Sequence, residues 1–134
     1  MPDAPDGTLM VQVAITLGQT SIPPSSSTEL AIVALDRLTT SSATYATVVS
    51  YTVPAAKTFI LAALELACSD YTKGQFRVTI AGVVQFVDEY LQTTFNPQFG
   101  DAQLKAGDVV LIEAKSDGST SIDVDGAIEG KVVG

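Results

Sequence analysis

Short segments rich in β-branched and aromatic residues, separated by turn residues, are the feature that most constrains the fold of this chain. The clearest is Gln75–Ala81, where Phe76, Val78 and Ile80 alternate with polar residues. This is the period of a strand with one buried face. Because glycine, proline or aspartate follows most of these segments, the pattern predicts an all-β protein built as a sandwich or a barrel.

The same reasoning predicts strands through most of the chain after residue 27. Besides the one above, they are Thr28–Leu38, Thr44–Val53, Lys57–Ser69, Val83–Leu91, Val109–Lys115 and Ser121–Val133. Thr28–Leu38 also has apolar residues at helical spacing, but its β-branched residues favour a strand. We expect Gly82 to break a strand that Val83–Leu91 then resumes. We also expect Thr93–Asp101 to be a loop and the last strand to be interrupted at Gly126 and Gly130.

Lys57–Ser69 is the most apolar segment. Its even-numbered residues form one continuous apolar face: Ile60, Ala62, Leu64, Leu66 and Cys68. The odd-numbered face, which includes Phe59 and Leu61, is mixed. A strand that is apolar on both faces is central in a sandwich or covered by a neighbouring subunit. Phe59 and Leu61 are therefore candidate interface residues.

With 134 residues, the chain has the length of one domain. Residues 1–27 contain a proline- and serine-rich stretch and are expected to form an extended N-terminal arm, with a short strand candidate at Leu9–Leu17. Residues 28–134 are expected to form a single β-sandwich. Unbroken apolar runs such as Phe59–Leu64 are far too short for a transmembrane helix. The acidic start of the chain does not resemble an export signal, so we expect synthesis in the cytoplasm.

Charge and composition exclude several classes of function. Fifteen acidic and seven basic residues give a net charge of −8, which disfavours binding to nucleic acid or anionic lipid. The chain has no histidine, the commonest general base and metal ligand near neutral pH. It has no tryptophan, and its single cysteine, Cys68, cannot form an intrachain disulfide.

No group of residues predicts catalysis, a metal site or a cofactor. Cys68 lies on an apolar strand face and is expected to be a buried hydrophobe. Asp123 and Asp125 would share one solvent-facing side of a strand, and with Asp117 they do not match a calcium-binding loop. Asp88 and Glu89 are adjacent and would point in opposite directions, so we expect neither an acid–base pair nor enzymatic activity.

Two loop aromatics are the remaining candidates for a contact surface. Phe95 and Phe99 flank Asn96 and Pro97, and either could dock onto a partner or a second subunit. The alternative is that both rings fold back onto the edge of the core.

The order of several turns and strands resembles a known group of proteins. Val53–Phe59 opens a long apolar strand, a shorter strand ends at Ala81–Gly82, and Leu104–Val110 and Asp125–Gly130 follow. Over roughly residues 50–134, this order resembles small β-sandwich or jelly-roll proteins of tailed-phage virions. These include capsid decoration (cement) proteins and modules of head or tail fibres.

The resemblance implies a virion structural protein that decorates the outside of an assembled phage head. Such a protein would be a homo-oligomer, with a trimer favoured. It would bridge subunits of the major capsid protein and stabilise the shell. The alternative is a receptor- or carbohydrate-binding module of a head or tail fibre, against which the lack of tryptophan argues.

Overall fold

The computed structural model describes residues 29–134, and these form eight β-strands and no helix. In chain order the strands are β1 (Glu29–Thr40), β2 (Ala46–Thr52), β3 (Thr58–Cys68), β4 (Gln75–Ile80), β5 (Val83–Glu89), β6 (Gln98–Lys105), β7 (Val109–Lys115) and β8 (Ile122–Val133). The predicted arm and the strand candidate at Leu9–Leu17 lie outside the described residues.

Within residues 29–134, two four-stranded antiparallel sheets make up a β-sandwich, as predicted. Sheet I has the order β1-β8-β3-β6, and sheet II has the order β2-β7-β4-β5. Strands whose numbers add to nine are neighbours: β1 with β8, β2 with β7, β3 with β6, and β4 with β5. The chain is therefore a long hairpin wrapped across two sheets, which is the order of an eight-stranded jelly roll.

The core fills the space between the sheets. On β4, Phe76, Val78 and Ile80 are buried and their neighbours are partly exposed, which confirms the alternation predicted from sequence. β7 alternates in the same way, with Val110, Ile112 and Ala114 inward. The largest fully buried side chains of sheet I are Phe59, Leu61, Leu64, Leu66, Ile122 and Ile128.

A β-bulge in β3 changes which residues of that strand face the core. The pairing of β3 with both β6 and β8 shifts between Leu61 and Ala63. One extra residue at this point moves the inward side chains from odd to even positions. The prediction of a single even-numbered face is therefore wrong for the first part of the strand, where Phe59 and Leu61 point inward and are fully buried.

Three other expectations need correction. The predicted loop Thr93–Asp101 ends inside strand β6, which the sequence does not signal because its residues are mostly polar. β8 runs through Gly126 and Gly130 without interruption. Gly82 does not lead into a continuation of β4, since Ala81 and Gly82 both have positive φ angles and reverse the chain into the antiparallel β5.

Gly130 allows β8 to approach the bulge closely. A β-carbon at this position would lie 2.3 Å from the backbone oxygen of Ile60 and 2.6 Å from the Cζ atom of Phe59. Neither the paired backbone nor the buried ring can move away freely. The bulge on β3 and the glycine on β8 therefore fit each other.

Gly130→Ala should destabilise the fold by about 3 kcal/mol, the upper end for an overfilled core. Gly82→Ala is the matched control. Its β-carbon would meet nothing within 4 Å, and only the left-handed backbone, with φ of 80°, opposes it. That strain costs about 1 kcal/mol. Urea unfolding followed by circular dichroism measures both variants, and equal midpoints for the two would contradict the close approach at Gly130.

Candidate interaction surface

Large exposed apolar side chains are confined to two edges of the sandwich. Among the described residues they are Leu30, Val33, Leu35, Val83, Val84, Val87, Tyr90 and Phe95. The first three lie on β1, one of the two edge strands of sheet I. The others lie on β5, one of the two edge strands of sheet II, or on the link from β5 to β6. Patches of this kind mark interaction surfaces more often than isolated exposed residues do.

The link that carries Phe95 is fixed to sheet I by hydrogen bonds. The Phe95 amide donates to the Leu66 carbonyl at 2.9 Å, and the Leu66 amide donates to the Phe95 carbonyl at 2.8 Å. The Leu64 amide donates to the carbonyl of Pro97 at 3.1 Å, and the Asn96 side chain donates to the Leu64 carbonyl. β3 therefore positions this link, which connects β5 to β6.

Aromatic side chains from both sheets meet along this side. The Phe95 ring packs edge-to-face on Phe86 of β5, with 6.1 Å between ring centroids. Beside them, an open groove of about 500 Å³ is lined by Tyr71, Thr72, Tyr90, Leu91 and Gln92. A smaller groove of about 230 Å³ adjoins it and is lined by Phe86, Glu89, Tyr90, Leu91 and Phe95. We call the side chains Tyr71, Phe86, Tyr90, Leu91 and Phe95 the aromatic edge.

The aromatic edge has the chemistry of a protein-binding surface. Phe95 keeps 39% of its surface exposed and Tyr90 keeps 55%, yet the backbone around Phe95 is held by hydrogen bonds. A ring that is already ordered, as Phe95 is, loses little conformational entropy when a partner covers it. Tyrosine also offers a hydroxyl at the rim of an apolar contact.

Next to the aromatic edge, the outer face of sheet II carries paired charges. Arg77 donates two hydrogen bonds to Glu113, at 2.7 and 3.0 Å, and Lys115 lies 3.0 Å from Asp88. The Tyr45 ring lies against both cations, 4.4 Å from the Arg77 guanidinium carbon and 4.6 Å from the Lys115 nitrogen. This arrangement matches each positive charge with a carboxylate and an aromatic face.

The Tyr45 hydroxyl is locked into this cluster. It donates to the Asp88 carboxylate at 2.7 Å and accepts from the Asp88 amide at 2.8 Å. Burial and the hydrogen bond to Asp88 raise the pKa of Tyr45 to about 12. The hydrogen bonds from Tyr45 and Lys115 lower the pKa of Asp88. Each group already has a partner, so the cluster stabilises this face of the sandwich.

The three aspartates in the turn before β8 and on β8 itself have separate roles. Asp125 accepts two hydrogen bonds from Arg37 of β1, at 2.7 and 2.9 Å, and Asp123 accepts one from the Thr39 hydroxyl. These contacts join β1 to β8 on the outer face of sheet I. Asp117 organises the turn before β8. Among residues 29–134, no three acidic, cysteine or histidine side chains are grouped so as to hold a metal ion.

Cys68 lies in the core at the end of β3, as expected. Its thiol donates to the Asp70 carbonyl at 3.3 Å, and burial raises the pKa of the thiol. A raised pKa disfavours the thiolate, which is the reactive form.

The four candidate interface residues lie in three different environments. Phe59 and Leu61 are fully buried within their own chain, where no partner can reach them. Phe99, on β6, is partly buried and packs against the core. Of the four, Phe95 is the most exposed, with 39% of its surface in solvent. Sequence reasoning did not single out Tyr90, Val84 and Val87 as contact residues. A signal was present, because valines on both faces of the strand segment Val83–Leu91 cannot all face the core.

A scan against protein-family models found no match for this chain, and a search of curated proteins found no relative. Within the described residues, no helix is long and apolar enough to span a membrane.

Asp117→Asn should lower the thermal midpoint at neutral pH. The carboxylate accepts hydrogen bonds from the amides of Ser119 and Thr120 and from the Thr120 hydroxyl, and these bonds lower the pKa of Asp117. A lowered pKa stabilises the fold above the ordinary aspartate value of about 3.9 and loses that effect as the pH falls below it.

The gap in melting temperature between wild type and Asp117→Asn should therefore be constant from pH 7 to pH 5 and shrink below about pH 4. Thermal melting by circular dichroism measures it. Glu89→Gln, which removes an exposed charge from β5, is the control and should melt close to wild type. A gap at pH 3 as large as at pH 7 would contradict the role of the ionised carboxylate.

Proposed function

We propose that this protein is a virion structural protein that decorates the outside of an assembled phage head and stabilises it. Its partners would be the major capsid protein and further copies of itself, with a trimer favoured. The proposal starts from the resemblance of residues 50–134 to small virion proteins of tailed phages. An eight-stranded jelly roll is compatible with it, since viral capsid domains often have this architecture, although a fold alone does not define a function.

The observation that carries the proposal is the aromatic edge. It presents Phe95 on a backbone that hydrogen bonds hold to β3, and the exposed Tyr90 lines the same groove. A clamp needs such a surface, because it must bind a finished shell without rearranging. Each copy that binds only the assembled shell lowers the free energy of that state and so raises its stability by mass action.

Charge also fits a protein partner. With a net charge of −8, the protein is repelled by packaged DNA. The outer face of sheet II carries paired ions, which are costly to remove from water, so the apolar edges are the parts of the surface that a partner can cover at the least desolvation cost.

Heads that lack this protein should assemble but release their DNA at a lower temperature than decorated heads. The experiment heats both kinds of particle in parallel and measures the released DNA. Adding purified protein back should restore the resistance of undecorated heads. Equal release curves would contradict a stabilising role on the head.

The combined variant Tyr90→Ala and Phe95→Ala should lose most of this rescue, because truncating an aromatic anchor typically costs 2 kcal/mol or more, about 30-fold or more in affinity. Thr47→Ala with Ser50→Ala is the matched control, since it truncates two exposed side chains of β2, outside the aromatic edge. A double variant that protects heads as well as wild type would move the contact to another surface.

The second candidate function is a receptor- or carbohydrate-binding module of a fibre. The groove beside Tyr71 and Tyr90 favours it, because an open apolar groove with aromatic walls suits a small ligand. Equal DNA release with and without the protein, together with saturable binding to host cells that Tyr90→Ala weakens, would favour this function over decoration.

A further inference from the structure

The two apolar edges of the sandwich lie on opposite sides of the molecule. β1 is the first strand of sheet I, and β2 is the first strand of sheet II. They share one side, because Val48 and Val49 of β2 pack over Gly126 of β8, the neighbour of β1. On the other side, Phe86 of β5 contacts Phe95, which is hydrogen-bonded to β3. Within the described residues, β1 and β5 therefore end the two sheets at opposite sides.

Each of these strands carries an uncharged run with apolar side chains in solvent. On β1 the run is 30–35, where Val33 is 62% exposed and Leu35 is 70% exposed. On β5 the run is 83–87, where Val84 is 51% exposed and Val87 is 48% exposed. Natural edge strands are usually protected by lysine, proline or a short length. Neither run contains a lysine or a proline, and β1 has 12 residues.

We propose that β1 of one copy packs against β5 of the next copy, in a head-to-tail contact that repeats around a closed ring. This names the surface for the self-association included in the proposed function and rests on that part of it. The two runs match in length, about 17–20 Å at 3.3 Å per residue. Both lack charge, which matters because copies with a net charge of −8 repel each other, and an uncharged contact adds no local repulsion to that.

Head-to-tail contact explains the position of the two edges better than a symmetric dimer does. A dimer through β1 alone leaves β5 exposed, and a dimer through β5 alone leaves β1 exposed. Antiparallel pairing of two β1 strands would also set Glu29 near Asp36, since these acids flank the uncharged run. One contact between unlike edges covers both, and its repetition closes a ring when the rotation between copies allows it.

The test uses two complementary full-length variants. Val33→Lys with Leu35→Lys disables β1, and Val84→Lys with Val87→Lys disables β5. Ser41→Lys with Ala55→Lys adds the same charge on exposed links and is the control. Light scattering coupled to size exclusion at micromolar concentration measures the mass, and thermal melting checks the fold. If a lysine variant melts early, threonine at the same two positions replaces it, because threonine keeps the strand preference.

Wild type and the control should form an oligomer larger than a dimer. Each edge variant alone should have the monomer mass of 13.9 kDa. An equal mixture of the two edge variants should give a dimer and nothing larger, since each pair retains one intact β1 and one intact β5.

Three results would overturn the proposal. The first is a monomeric wild type, which is expected if the N-terminal segment of the same chain covers an edge. The second is an edge variant that still dimerises alone. The third is a mixture of the two edge variants that stays monomeric. These measurements need no capsid. A monomeric wild type would overturn the contact between β1 and β5, whereas the decorating function would still be tested by DNA release. Failure to protect heads would overturn the decorating function, whereas the ring would still be tested by the mass of the oligomer.

Discussion

The pairing of β3 with β8 is the interaction on which the rest of the sandwich depends. These are the two central strands of sheet I, and they stay paired from Thr58–Val133 to Cys68–Val124. Their inward side chains supply much of the core that sheet II covers. The bulge after Leu61 sets the direction of every later side chain in β3, and Gly130 gives that bulge its space. A change in this register would move apolar residues to the outer face.

On the outer faces of the sandwich, charged side chains pair with one another. The outer face of sheet II is neutralised by Arg77 with Glu113 and by Lys115 with Asp88, both arranged around Tyr45. The outer face of sheet I is joined by Arg37 and Asp125. The charged side chains of both outer faces therefore pair within the molecule, and the large exposed apolar side chains lie at the edges.

Sequence reasoning predicted the class of fold and most strands, because alternation on β4 and β7 directly reports one buried face. It missed β6, since Gln98–Lys105 has few β-forming residues and is held by its partner strand β3. It placed Phe59 and Leu61 at an interface because a bulge cannot be read from a continuous apolar run. Phe95 was identified from its loop position, but the hydrogen bonds to Leu66 that order it come from chain segments far apart in sequence.

The wrapped-hairpin order also determines when the protein can fold. Within residues 29–134, the sheet partner of β1 is β8, at the far end of the described sequence, so a growing chain must carry the exposed apolar run of β1 until β8 has been synthesised. Contacts between such distant segments slow folding, and unpaired apolar strands promote aggregation meanwhile. The turn between β4 and β5 is the natural starting point, because it brings the first local pair together. Yield in the cell should therefore depend on chaperones and growth temperature more than the stability of the finished sandwich would suggest.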